Sequence, residues 1–332
     1  LIKTQKIAIT PKGHEITITD YFTVGITIFS LHASLKDNSF PHAARVKTAL
    51  YPFTEDSALF DKANEQLCTA IQMFGYGQSD LGECLYWLKH TLTQPENSAL
   101  GMKSVIEIYS HVPESTSIVI DGIARPIIPV GWAFAYTGLE WVSLKPSVLN
   151  IDSPFAEIPL KVFIQSHALQ RLAERIDCFW IGLLHLNMYV SLRDPKVFYD
   201  SKDNLLIEYR FFDTKAGYFR VDIVDGVIVL RTFLFVTNNG TPEGQMLEKN
   251  TGLQKLDKKY LAIDKLSTFM SSDIGDNQEV RKIFIDAGCN CLLDLYEKTN
   301  VLSTKHPNQT TSSLMLDYIG QRSSSTSIPL HE

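Results

Sequence analysis

The chain has no run of 18 or more consecutive apolar residues in its 332 positions, so no bilayer-spanning helix and no membrane partner are expected. Its N-terminus lacks a basic segment followed by an apolar one, which removes a signal peptide from the reading. It opens at Leu1 and not at Met, so an original start or a leader can lie upstream. Cysteine is scarce: five residues, an odd number, without the density of a disulfide-stapled secreted domain. A reducing, cytoplasmic compartment fits that usage. Cys289 and Cys291 stand one residue apart, too tight for a zinc knuckle, and no second Cys/His pair lies nearby, so no metal is expected there.

Also missing are a phosphate-binding G-x-x-x-x-G-K-[ST] loop, G-x-G-x-x-G, H-E-x-x-H and G-x-S-x-G. Their absence sets aside several large enzyme classes, and no cofactor is expected. With 37 acidic and 31 basic residues the net charge is −6, which argues against a surface that attracts nucleic acid everywhere. A local basic patch is compatible with it.

Apolar residues make up 45% of the chain and charged residues 20%, an ordinary globular balance for most of the sequence. The length exceeds one usual core, so two domains are expected. The reading is α+β: two domains, each an antiparallel sheet packed with helices, the second closed by C-terminal helices. The expected division is 1–150, 151–302 and a Ser/Thr-rich mobile tail, 303–332, in which Leu314 to Ile319 is a docking segment for the body or a protein partner.

In the first domain, IAIT and HEITITDYFTVGITIF flank a Pro-Lys-Gly turn and read as a β-hairpin. Leu59, Phe60, Ala63, Leu67, Ala70, Ile71 and Phe74 recur at helical spacing, with Gly75 and Gly77 ending the run and a second helix near Ser79 to Leu92. A meander follows, at Val105 to Tyr109, Ser117 to Ile120, Ile127 to Val130, Trp132 to Tyr136 and Leu139 to Leu144.

In the second domain, Lys161 to Gln165 reads as a strand, Ser166 as a cap and His167 to Ile176 as a helix. Strands are expected at Met188 to Leu192, Leu205 to Phe212, Tyr218 to Val224 and Val227 to Thr237. Their turns fall at Asp203-Asn204, Lys215-Ala216-Gly217 and Asp225-Gly226. Helices then run over Pro242 to Lys249, Asp257 to Met270 and Asn277 to Lys298, the first capped by Thr241.

Two segments hold more polar chemistry than packing needs. Helical projection groups His167, Arg171 and Glu174, with Arg175 at the flank, opposite Leu169, Leu172, Ala173 and Ile176. The one-turn steps between His167, Arg171 and Arg175 let three donors converge on one anion. The alternative is that Glu174 pairs with one of these arginines or with a residue from the sheet, and His167 is a solvated first-turn residue. In VIVLRTFLFVT, Arg231 interrupts a strand apolar on both faces, with Thr232 opposite it by alternation. An unpaired guanidinium there is costly, so Arg231 meets a carboxylate such as Glu174 or Glu208, an anion, or a wet cleft. Arg210 and Arg220, beside Tyr209, Tyr218 and Phe219, suit phosphate contact and base stacking, and equally suit cross-strand packing.

The string HALQRLAER, His167 to Arg175, followed by antiparallel strands, resembles the H-A-x-x-R-x-x-E-R helix of small toxin-type domains related to RelE and the colicin ribonucleases, over residues 161 to 237. That resemblance implies metal-independent RNA cleavage, with His167 or Glu174 moving protons and Arg171 and Arg175 holding phosphate. Arg231 and Thr232 are added to the catalytic group on placement, and Arg210 and Arg220 to the phosphate contacts. The expected function is a ribonuclease-like or RNA-binding module. The alternatives are a non-catalytic interaction or assembly protein and a sensor holding an anionic metabolite at Arg231.

Overall fold

A computed structural model describes residues 6–8, 15–51, 57–93, 103–299 and 310–325. The fold is α+β, in two compact units. The smaller comprises residues 1–78, 86–110 and 133–138; the larger takes 79–85, 111–132 and 139–332. The division is therefore not a single cut, and residue 150 lies inside the larger unit.

In the smaller unit, β1 (Lys6–Ala8) pairs with β2 (Glu15–Thr17) as the expected hairpin, its turn outside the described residues. The chain then turns helical where further strand was expected: α1 (Ile18–Asp20), a π turn over Tyr21–Gly25, and α2 (Ile26–Ser34). The Thr17 hydroxyl caps this run by accepting from the Asp20 backbone N–H at 3.1 Å. A local cap of this kind outweighs the β-preference of Ile and Thr. After α3 (Ala43–Leu50), α4 (Ser57–Gln78) passes through both glycines expected to stop it. A glycine costs only about 1 kcal/mol in a helix interior, which a 22-residue helix tolerates. The helix expected at 79–92 is instead β3 (Leu85–Thr93), paired with β4 (Lys103–His111). The Asp80 carboxylate accepts from the Gly82 N–H at 2.7 Å, and this turn starts the strand.

In the larger unit, the hairpin β5 (Thr116–Ile120) and β6 (Ile123–Pro129) turns at Asp121-Gly122. The short strands β7 (Gly131–Phe134) and β8 (Gly138–Trp141) are joined through the segment 133–138, which belongs to the smaller unit, and β9 (Ser143–Leu144), a 3-10 turn at Pro146–Leu149 and β10 (Leu160–Gln165) follow. Helices α5 (Ser166–Arg175) and α6 (Ile181–Arg193) separate β10 from β11 (Val197–Tyr199), β12 (Leu205–Phe211), β13 (Thr214–Val224) and β14 (Val227–Phe235). The main path of the sheet runs β11-β12-β13-β14-β10-β6-β5, with β9 also on β10. The sheet is mixed rather than wholly antiparallel, because β10 and β14 pair in parallel. The two helices between them supply the crossover that a parallel pair requires.

Met188 to Leu192, expected as a strand, belongs to α6. Leu184, His185, Met188 and Leu192 are all buried at helical spacing, a period visible only over the full 13 residues. The turn expected at Lys215-Ala216-Gly217 lies within β13; the chain reverses at Phe212 and Asp213, both with positive φ. Gly217 marks a close approach instead. A Cβ there would stand 2.3 Å from the Leu234 carbonyl oxygen and 2.7 Å from the Phe233 ring.

C-terminal helices follow in the order α7 (Pro242–Thr251), α8 (Lys255–Tyr260), α9 (Leu266–Ser271), α10 (Gln278–Asp286), α11 (Asn290–Thr299) and α12 (Ser312–Ser325). The Thr241 cap of α7 is present, accepting from the Gly244 N–H at 3.0 Å. The helices expected as single pieces over 257–270 and 277–298 are each broken at a left-handed residue, Ala262 and Gly288. Residues 310–325 of the expected mobile tail are docked. Met315 is fully buried, the Thr310 hydroxyl donates to the Leu261 carbonyl at 2.9 Å, and the Tyr318 hydroxyl donates to Asp257 at 2.7 Å.

Gly217→Ala is expected to destabilise the fold by about 3 kcal/mol, because backbone rather than a pliable side chain blocks the new methyl. The midpoint of urea unfolding measures this, and a value equal to that of the wild type removes the close-approach explanation.

Candidate functional site

The helical group forms as expected. On α5, Ala168, Leu169 and Leu172 are buried, while His167 stays exposed on the outer face with Arg171 and Glu174. These side chains satisfy one another. Arg171 Nη1 donates to Glu174 Oε2 at 2.6 Å, and its Nε reaches His167 Nε2 at 3.5 Å, the limit of a hydrogen bond. Arg175 is committed elsewhere, to the Asp264 carboxylate and carbonyl. Arg210 is tied to the end of α6 by a 2.8 Å bond to the Asp194 carbonyl.

Arg231 lies on the other side of the sheet from this helix. The Tyr209 hydroxyl donates to the Leu184 carbonyl of α6 at 3.2 Å, and its ring packs on Phe219 and Phe233. That side is therefore the one covered by α5 and α6, called here the helical side, with α5 packed beside α6 over β14 and β10; α7 lies against the opposite side at the β13 end, where the Tyr218 hydroxyl donates to Glu243 at 2.9 Å. Alternation from Phe219 sends Arg220 and Asp222 to the opposite side. Arg231 follows them, donating to Asp222 Oδ2 at 2.6 Å and to Asp121 Oδ2 at 3.1 Å. Its partners are thus not Glu174 or Glu208; the latter faces Lys196 at 3.7 Å. Burial opposes the charge of Arg231, but Asp222 and Asp121 more than offset it and hold the guanidinium pKa above its usual value. The catalytic group expected of His167, Glu174, Arg231 and Thr232 is thus split, with His167 and Glu174 on the side of α5 and Arg231 on the other.

Thr232 is also displaced from its expected side. β13 and β14 shift register between Arg220 and Val221: Arg220 is opposite Thr232 and Val221 opposite Leu230, leaving Arg231 unpaired as a β-bulge. Strict alternation would have separated Arg231 from Thr232; the bulge leaves both on the side of Arg220.

This side carries a polar row that extends beyond the expected residues. In the parallel register Ile164 is opposite Leu230, so the next step along β10 brings Gln165 alongside Arg231. Gln165 in turn is opposite Ile127 on β6, with Arg125 two residues further along the same face. Gln165 is only 8% exposed. Its Nε2, like the Nε atoms of Arg125 and Arg220, is buried without a hydrogen-bond partner among the described residues. Neither Arg125 nor Arg220 forms an ion pair with a described carboxylate. Asp200 feels the Arg220 charge: burial alone would raise its carboxyl, but bonds from Asn204 and Lys202 together with Arg220 hold it below the usual value. Sequence reasoning missed Arg125 and Gln165. The signal for Arg125 was the one that singled out Arg231, a charge inside a strand, here in IARPIIP.

Among the described residues, no three His, Cys, Asp or Glu side chains assemble into a metal-ligating group. No family model, curated protein or solved structure matches this chain.

Burial also lowers the pKa of two basic side chains, His185 and Lys258. His185 Nδ1 accepts the Leu81 N–H at 3.0 Å and lies 3.6 Å from Asp80; burial brings its pKa down to about 4, the Asp80 charge only partly opposing this. Lys258 donates to the Gly244 carbonyl at 2.7 Å, and burial brings it to about 8 against the upward pull of Glu248 and Cys289. Each folded value lies below the unfolded one, so in each window the unfolded chain binds more protons and stability rises with pH. The His185 contribution is complete above pH 6.5 and is lost as pH falls toward 4. The Lys258 contribution grows between pH 8 and 10.5, by about 3 kcal/mol. Unfolding free energies measured across both ranges should flatten in the acid window for His185→Gln and in the alkaline window for Lys258→Met. A slope unchanged by its own substitution rules out that assignment.

Proposed function

We propose that the larger unit binds a phosphate-bearing polymer, single-stranded RNA, through the sheet face carrying Arg125, Gln165, Arg220, Arg231 and Thr232. The observation that carries this reading is the set of buried N–H groups on Arg125, Gln165 and Arg220 that lack hydrogen-bond partners among the described residues, on a face already rich in guanidinium. Buried donors left unmatched cost about 1–3 kcal/mol each, and an arginine fork fits phosphate oxygens in pairs. From β13 to β6 the row crosses four strands about 4.8 Å apart, roughly 14 Å in all, which exceeds a single phosphate and suits an extended polyanion.

Cleavage is not part of this reading. His167 and Glu174 belong to the helical side of the sheet, and Glu174 is occupied by Arg171. Nor is a small anion at Arg231 favoured, because two aspartates already neutralise it. Asp121 is the exposed member of that trio and would give way to an incoming phosphate, while Asp222 stays in place.

Fluorescence anisotropy of a labelled 20-nucleotide oligouridylate between about 50 and 200 mM salt tests the proposal. With two arginines, Arg125 and Arg220, that form no ion pair with a described carboxylate, the plot of log K against log salt should have a slope of about −1.4, at about −0.7 per phosphate. Arg125→Ala and Arg220→Ala should each weaken binding and remove about half that slope. Asp121→Asn should tighten binding, Arg171→Ala should change nothing, and the RNA should be recovered intact. Salt-independent association, or arginine variants that bind like the wild type, would overturn the reading.

A further inference from the structure

A second feature of the larger unit touches the polar row only through Asp222, the partner of Arg231. Residues 146–160 arch over the helical side of the sheet near the start of β10, and between this arch and the ends of β12 and β13 lies a cavity of about 690 Å³. Its size falls in the range of sites for small ligands. Leu205, Val221 and Ile223 form its floor, with Phe155 and Ile158 on the arch. Phe155 is 66% exposed and Ile158 53%, so two large apolar side chains at one opening stand in water. Apolar side chains concentrated around an opening mark a surface that a partner molecule covers.

The charge of the lining is one-sided. Its ionisable members are Asp203 and Asp222, and no lysine or arginine is among them. Asp222 is engaged by Arg231. The carboxylate of Asp203 makes no ion pair with any described residue, and its backbone is fixed in the left-handed region at φ 57°. The turn around it is rigid, because Asp200 Oδ1 accepts from the Lys202 and Asn204 N–H groups at 2.8 and 2.9 Å. Seven charged residues neighbour the lining in sequence: Lys145 pairs with Glu157 at 2.8 Å, Arg220 acts on Asp200, and Lys161 and Lys202 balance Asp152 and Asp225. Asp203 thus remains as a positioned, unneutralised acceptor at the mouth of an apolar cavity.

We propose that this cavity binds a small cationic amphiphile, a primary amine on an aliphatic body, with the chain against Phe155, Ile158, Leu205 and Val221 and the ammonium on Asp203. The chemistry follows from the pairing of an oily floor with a single uncompensated carboxylate, which favours a cation and repels a fatty acid of the same length.

Isothermal titration calorimetry of the full chain with n-decylamine, n-decanol and decanoate, each below its aggregation concentration, tests this directly. Saturable one-to-one binding of the amine is expected, at least ten-fold tighter than the alcohol, with decanoate the weakest. Asp203→Asn should bring the amine to the level of the alcohol, and Phe155→Ala should weaken both by about ten-fold. Both side chains are exposed, so neither variant should alter the thermal unfolding midpoint, which is measured alongside. Absence of saturable amine binding, decanoate binding as tight as the amine, or an Asp203→Asn variant that keeps the amine preference would each overturn the proposal.

Discussion

The parallel pairing of β10 with β14 is the constraint from which the rest of the larger unit follows. It joins two antiparallel blocks, β5-β6 on one side and β11 to β14 on the other, into one sheet. A parallel pair cannot be closed by a hairpin, so the intervening chain must cross one face, and α5 and α6 do so. That crossover makes the two sides unequal. One receives Leu169, Leu172 and the aromatic cluster of Tyr209, Phe219 and Phe233; the other, toward the β5-β6 end, keeps polar side chains among its apolar ones.

Much of the larger unit was legible in the sequence because its strands are bounded by explicit turn chemistry. Asp203-Asn204 and Asp225-Gly226 mark reversals, and the Thr241-Pro242 pair opens α7 as a cap followed by a preset φ. Legibility failed where a local signal had two meanings. Gly217 reads as a turn and is a site of tight packing. The β-branched residues after Thr17 read as strand and are helical behind a cap. Met188 to Leu192 viewed alone reads as strand, because the helical period needs the whole of α6 to show itself.

The candidate site was half legible. Local spacing identified the α5 group, since residues one turn apart on a helix must be neighbours. Placement identified Arg231, since a charge in an oily strand demands a partner. Neither argument can say on which side of a sheet a residue emerges relative to a helix elsewhere in the chain. That depends on a parallel register and a crossover, which are properties of strands distant in sequence. Arg125 and Gln165 join the row for the same reason: β6 and β10 are brought beside β14 only by the completed topology.

The bulge at Arg231 also acts as a phase shifter. Before it, the even-numbered Ile228 and Leu230 serve the helical side; after it, the odd-numbered Phe233 and Phe235 do, and all four are buried. One strand thereby supplies core residues at both ends while keeping out of step with itself, which is why its sequence reads as oily on every position but the middle. Deleting a single residue at the irregularity would restore even pleating and turn two phenylalanines away from the core, so the extra residue is what allows β14 to remain central along its whole length.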